Sequence, residues 1–264
     1  MYSPKSKVGK FGLMSYDTVI KTEDKSSHPT PLEVNVVPLF PTPATVINIS
    51  RNFTDSELQT ISKIPIEKEI IEKHESSKEK GTESSKSSLK YTPMFNHRSK
   101  SFYVFDEFNE GLKDIKLFCE EQVKHYFEEI EGVDTKFVNL RITQSWLNVN
   151  KPEEFHHAHD HPNSYLSGVF YFNCLPNDCI NFAVRAQQSY GATSWDFPQT
   201  KLTIWNATGI SQDVRKGDLI LFPSWVPHHV IKNETNDTER ISLSFNTFPI
   251  GEMGGYKHAT HLIL

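Results

Sequence analysis

The sequence predicts a mainly β protein with flanking helices, folded as an antiparallel sandwich or jelly roll. After Gly132 the hydrophobic period changes to two. Val138, Leu140 and Ile142 alternate with polar partners, and the same face continues through Gln144, Trp146 and Asn148. Further on, Tyr165 to Asn173, Leu202 to Trp205, Asp218 to Phe222, His229 to Lys232 and Arg240 to Phe248 are strand-length runs. Clusters of Pro, Gly, Asn and Asp separate them, and no helical pattern intervenes. The alternation groups Trp146 with Val138, Leu140 and Ile142, which predicts a core position for it.

The elements before this region are helical. Residues 1–33 are polar, lack sustained periodicity and read as an N-terminal extension; order is expected from Val34 to Phe40 onward. Thr54-Asp55-Ser56-Glu57 has the form of a capping box, and Leu58, Ile61 and Ile64 follow at helical spacing until Pro65 stops the run. Residues 72–90 are Ser, Lys and Glu with almost nothing to bury, the composition of a mobile surface insertion. Leu112, Ile115, Phe118, Cys119, Gln122, Val123, Tyr126, Phe127 and Ile130 then trace one side of a helix of about five turns that Gly132 can end. One domain over residues 34–264 is expected, its helical N-terminal part followed by a β core at about 134–250.

Composition narrows the function. The 264 residues carry a formal net charge of -5, which lacks the basic footprint of a dedicated nucleic-acid binder. No stretch approaches the ~18 continuous apolar residues of a membrane span, and no apolar segment follows the N-terminal lysines, so a soluble cytoplasmic protein is expected. The 3 cysteines, Cys119, Cys174 and Cys179, are an odd number without a disulfide framework, in keeping with a reducing compartment.

Histidines carry the chemical signal. Four of them, His156, His157, His159 and His161, fall within a single short segment that ends at Pro162. On an extended chain, residues two apart share a face, so either His157 with His159 or His159 with His161 can present paired imidazoles. A third ligand can arrive from Gly217 to Val230, where a turn and an apolar strand deliver His228 just past a bend bounded by Pro223 and Pro227. Three imidazoles meeting in this way make a metal face with open coordination positions.

Arg240 opens a strand whose two faces differ sharply. Arg240, Ser242, Ser244 and Asn246 lie on one face, and Ile241, Leu243 and Phe245 on the other. The polar face can look to solvent, as antiparallel sheets allow. Turned inward, it offers a guanidinium clamp for a carboxylate at Arg240 and a hydroxyl donor at Ser242.

These residues carry a resemblance. Trp146 to Asn150, His159 to Ser164, Ser167 to Tyr171, Phe222 to Trp225 with His228, and Arg240 to Asn246 are together similar to a phage and bacterial branch of the Fe(II)/2-oxoglutarate-dependent oxygenases. The resemblance spans roughly residues 34–250 and is motif-dense after Gln144. It implies a cupin-like double-stranded β-helix, with Fe(II) as the metal and 2-oxoglutarate as cosubstrate. It selects His159, His161 and His228 as ligands and leaves His157 and His229 as neighbours. It implies that Arg240 and Ser242 bind the distal carboxylate of 2-oxoglutarate, with Asn148 and Tyr171 lining the cosubstrate pocket. The implied reaction consumes dioxygen, releases succinate and CO2, and hydroxylates a substrate that the sequence does not name.

One position departs from the superfamily pattern. Most members place a carboxylate two residues after the first His, whereas this chain has His161 there, with Asp160 alternating to the opposite face. Three neutral imidazoles leave more positive charge on a divalent metal than two imidazoles and a carboxylate. Two rival readings follow: a cupin-like metal-binding module without 2-oxoglutarate turnover, and a structural zinc site joining the His cluster to Cys174 and Cys179. The substrate pocket is expected to draw on loops such as Arg185 to Pro198, including Trp195 and Phe197.

Overall fold

Two antiparallel sheets face each other, and helices cover the outer side of the larger one. The computed structural model describes residues 42–70, 95–183, 200–201, 207, 209–255 and 259–264. The expected strand Leu202 to Trp205, the insertion 72–90, the segment Val34 to Phe40 and the loop Arg185 to Pro198 all lie outside or largely outside these residues.

Twelve strands are described. They are β1 (Thr45–Asn48), β2 (Ile66–Ile70), β3 (Phe95–Ser99), β4 (Val138–Asn150), β5 (His156–His159), β6 (Leu166–Asn173), β7 (Cys179–Ala183), β8 (Gly209–Asp213), β9 (Asp218–Pro223), β10 (His228–Val230), β11 (Arg240–Met253) and β12 (Leu262–Ile263). The large sheet runs β1-β9-β6-β11-β4-β3-β2, with β12 pairing β11, and the small sheet runs β5-β10-β7-β8. This pair of facing antiparallel sheets is the jelly roll that the alternating patterns predict.

The helices form as their caps and stripes dictate. In α1 (Asp55–Lys63) the Glu57 amide donates to Thr54 Oγ1 at 3.2 Å and the Thr54 amide donates to Glu57 Oε2 at 2.7 Å, closing the capping box. After α2 (Val104–Glu107), α3 (Asn109–His125) runs into a π-helical turn at Tyr126–Ile130, and Gly132, at φ 70, lets the chain leave it. Leu112, Ile115, Cys119 and Val123 of α3 join Leu147, Val149, Phe170, Leu243 and Phe245 of the sheet in one buried cluster. Among the described residues no helix is long and apolar enough to cross a membrane.

A β-bulge in β4 overturns the expected placement of Trp146. Gln144 pairs Asn246 while Ile142 pairs Thr247, so Thr143 is an extra residue without a partner position on β11. Before the bulge, Leu140 and Ile142 pack on the helix-side cluster; after it, Leu147 and Val149 do so. Trp146, Asn148 and Asn150 are thereby rotated to the face that looks at the small sheet. Trp146 is half-buried there, edge-on to Phe102 at 6.1 Å and to His161 at 5.6 Å, and is not a core residue.

Register explains the glycine of the Ser167-Gly168-Val169 block. Gly168 lies opposite Phe245, and a Cβ on residue 168 would sit 2.1 Å from Phe245 Cζ. Phe245 is wholly buried and has nowhere to move. Gly168→Ala should therefore lower stability by about 1–3 kcal/mol through overpacking. Urea unfolding measures it, and an unchanged midpoint would mean that the ring slides aside without cost.

Candidate metal centre

His159, His161 and His228 converge between the two sheets. His159 ends β5, directly opposite His228 at the start of β10, and His161 lies just beyond β5. One ring nitrogen of each lies within 4.8 Å of the other two, and this is the group of potential ligands found among the described residues. It contains no cysteine, so it is not the mixed His/Cys site of the zinc reading. Asp160 is outside it as well.

Each ring has its other nitrogen occupied. His159 Nδ1 donates to the His157 carbonyl at 2.8 Å, and His228 Nδ1 donates to the Val226 carbonyl at 3.1 Å. His161 Nδ1 donates to Asn246 Oδ1 at 2.8 Å and lies 2.8 Å from Ser167 Oγ. With Nδ1 protonated in all three, Nε2 carries the lone pair that ligation needs.

Two of the rings, His161 and His228, are also held neutral. Burial, reinforced by neighbouring His159, pushes His161 down to about 4 against the raising effect of its bond to Asn246. Burial, with His159 and His161 beside it, pushes His228 down to about 3. The unfolded chain, with histidines near 6.5, therefore binds more protons below that pH. The metal-free protein should keep its full stability above about pH 6.5 and lose it as the pH falls toward 4, by up to about 1.4 kcal/mol per pH unit for each histidine. Urea titrations between pH 7 and 4.5 check the sign, and His228→Gln should flatten the slope.

A further histidine sits against the group. His156 stacks on His159 with ring centroids 4.4 Å apart and planes 22° from parallel. Burial and the surrounding rings drive its basicity well down. Its side chain lines the same pocket although it is three residues from His159. The pairing of β5 with β10 shifts register between His228 and Val230, and this irregularity brings both rings to one side. Strict alternation hides His156; only the bulge reveals it.

Arg240, Ser242, Asn148 and Tyr171 line the pocket with the histidines, along with Trp146, Asn150, Val169, Ile180, Val230 and Ser244. The polar face of β11 is therefore turned inward. Ser242 lies opposite Asn148 on one side and Tyr171 on the other, and Asn148 Nδ2 donates to Ser244 Oγ at 2.9 Å. The Arg240 guanidinium, 1% exposed, pairs through Nε and Nη2 with the Asp178 carboxylate. Backbone amides of Leu175 and Cys179 also donate to that carboxylate. Arg240 Nη1 is buried and has no hydrogen-bond partner among the described residues. Asp178 had no signature in the sequence beyond the turn that contains it.

The cavity among these side chains measures ≈ 30 Å³, close to the space of one water. A five-carbon acid enters only as side chains part, and half-buried Trp146 is among those lining the space. A larger cleft of ≈ 480 Å³ lies on the opposite face of the sheet, lined by Leu58, Ile61, Ile64, Phe172 and Ile241 and without a histidine.

A three-histidine face between the sheets of a jelly roll, with His228 buried and His159 and His161 half-buried, is a candidate metal centre in a double-stranded β-helix. Residues 144–246, from within β4 to within β11, match the model of the family described as "Putative 2OG-Fe(II) oxygenase". The match takes in the three converging histidines, and the family's description names the metal Fe(II) and the cosubstrate 2-oxoglutarate. Among solved structures, the chain is similar to an oxidoreductase of the 2OG-Fe(II) oxygenase family from Burkholderia pseudomallei, at 12% identity over 78% of this chain and 84% of that one, TM-score 0.48. It is also similar to a Pseudomonas putida prolyl-4-hydroxylase, at 16% identity over 57% and 68%, TM-score 0.31. A third is the epimerase SnoN in complex with Fe3+, alpha ketoglutarate and nogalamycin RO, at 13% identity over 62% and 68%, TM-score 0.41. No curated protein sequence matches the chain.

Proposed function

We propose that this protein uses His159, His161 and His228 to hold Fe(II) and couples the decarboxylation of 2-oxoglutarate to hydroxylation of a second substrate. The observation that carries this reading is the arrangement of the three rings: every Nδ1 faces a backbone carbonyl or the Asn246 amide oxygen, and one nitrogen of each ring lies within 4.8 Å of the other two. Neutral imidazole is a ligand that Fe(II) accepts readily, and three facial ligands leave positions for a chelating 2-oxo acid and dioxygen. Bound iron supplies the activation of dioxygen and the oxidative release of succinate and CO2.

The protein's own groups bind and orient. Arg240 directs its orphaned Nη1 at the distal carboxylate, where Ser242 adds a hydroxyl, while Asn148 and Tyr171 bound the chain between. Val169, Ile180 and Val230 line the rest of the pocket and exclude water. A metal-binding module without 2-oxoglutarate turnover draws its support from one feature, the carboxylate that Arg240 already holds in Asp178.

Succinate formation decides between them. Protein loaded with Fe(II) without oxygen, then given 2-oxoglutarate and air, should release succinate slowly even without its second substrate. Manganese-loaded protein that binds no 2-oxoglutarate in calorimetry would sink the oxygenase reading and leave the metal module.

A further inference from the structure

Four of the sequence blocks that surround the site contribute a small polar residue for which metal and cosubstrate binding have no use: Ser164, Ser167, Ser224 and Asn246. They form one connected network that ends at His161 Nδ1. His161 Nδ1 lies 2.8 Å from both Ser167 Oγ and Asn246 Oδ1. Ser167 Oγ lies 2.8 Å from Ser224 Oγ, Ser224 Oγ donates to Ser164 Oγ at 2.7 Å, and Ser164 Oγ donates to the Leu166 carbonyl at 3.2 Å. Ser167 and Ser224 are 0% exposed, so no water substitutes for these partners.

We propose that Asn246 and the Ser167–Ser224–Ser164 hydroxyl chain form one positioning unit that fixes the tautomer and orientation of His161. A hydroxyl has one proton to give. Ser164 gives its proton to a carbonyl and Ser224 gives its to Ser164, so Ser224 meets Ser167 as an acceptor. Ser167 spends its proton on Ser224 or on Asn246 Oδ1, 3.2 Å away. An amide oxygen can only accept. Toward the imidazole, then, both neighbours present lone pairs, and Nδ1 must carry the proton. His159 and His228 obtain the same result from one backbone carbonyl each, two residues away.

His161 stands two residues beyond the first ligand, past the end of β5, where its amide donates to the Ser224 carbonyl at 3.0 Å and its ring is held by the Ser167 and Asn246 side chains. The partner is also a neutral amide rather than the carboxylate that often backs a metal-bound histidine. A carboxylate there would strengthen the imidazole as a donor and lower the net charge of the site. The amide keeps three neutral ligands around a divalent ion.

This inference rests on His161 being a metal ligand. The test measures Fe(II) or Co(II) affinity by chelator competition, together with the Fe(III)/Fe(II) potential of the loaded protein. Asn246→Ala and Ser167→Ala should each weaken metal binding by roughly 10–100-fold. Asn246→Asp should do the opposite, tightening the metal and lowering the potential, a reversal that damage to packing does not produce. Ser224→Ala should cost affinity in the wild-type background and nothing further over Ser167→Ala, because it acts through Ser167. Should Asn246→Ala fail to fold, the two serine variants carry the test, since each removes one oxygen atom. Wild-type affinity in both Ser167→Ala and Asn246→Ala, or a shift of the same sign in the Ala and Asp variants, overturns the proposal. Wild-type affinity in His161→Ala instead overturns the ligand assignment beneath it.

Discussion

His228→Ala should strip the protein of its iron, and His159→Ala and His161→Ala should do the same. Each removes one of the three ring nitrogens that lie within 4.8 Å of one another. Loss of an outer hydrogen-bond partner typically costs 10–100-fold in metal affinity, so loss of a ligand should exceed about a hundredfold. His157→Ala should retain the metal, because its hydrogen bond to His159 comes from the backbone carbonyl, which every residue supplies, and its ring, 5.2 Å from that of His159, is not one of the three converging groups. His156→Ala keeps the three ligands but removes the ring stacked on His159, so a smaller loss is expected. Iron content after gel filtration, with circular dichroism to establish folding, reads all five variants. Loss of metal in His157→Ala with retention in His161→Ala would mean that the paired imidazoles are residues 157 and 159.

The parts of this fold that were legible in the sequence are those where a period runs unbroken. Ile241, Leu243 and Phe245 against Arg240, Ser242 and Ser244 described β11 correctly because that stretch carries no extra residue of its own: the irregularity between Ile241 and Ser242 places the extra residue, Phe172, on β6. The Thr54 capping box was legible because it is a local hydrogen-bond pattern with fixed residue types. Where a bulge intervenes, alternation misleads: one extra residue at Thr143 sends Trp146 to the pocket, and a register shift in the β5–β10 pair does the same for His156. Short strands such as β2, β3 and β8 carry Glu, Lys, Asn, Ser or Gln in place of an apolar stripe, and so left no alternation to read.

The site divides in the same way. The histidine spacing and the Arg240–Ser242 pair are sequence-local, and the inward face of β11 was one of two orientations that alternation allowed. Asp178 and the hydroxyl chain are not local at all. Asp178 reaches Arg240 across 62 residues, and Asn246 reaches His161 across 85. Partnerships of this kind are written in tertiary register, and a single sequence holds no trace of them.

Arg240→Ala should produce two losses that separate cleanly. The first is stability. Arg240 and Asp178 are a buried ion pair with side-chain exposures of 1% and 0%, and removing the cation leaves a carboxylate in the interior with only the Leu175 and Cys179 amides for company. Breaking such a pair by removing one partner costs about 3–5 kcal/mol, well above the value of a surface pair. The second is cosubstrate affinity. If Nη1 meets the distal carboxylate of 2-oxoglutarate, its removal should weaken binding by about 3 kcal/mol, on the order of a hundredfold in dissociation constant. Iron content should barely change, because the guanidinium is not among the metal-ligating groups. Asp178→Asn provides the contrast. It also leaves a buried charge without its counter-ion and should destabilise comparably, yet the ligand carboxylate then meets an uncompensated guanidinium and should bind at least as tightly as in the wild type. Urea unfolding and calorimetric titration of manganese-loaded, oxygen-free protein measure the two quantities independently. Equal 2-oxoglutarate affinity in wild type and Arg240→Ala would remove Arg240 from the cosubstrate site and leave it a structural partner of Asp178.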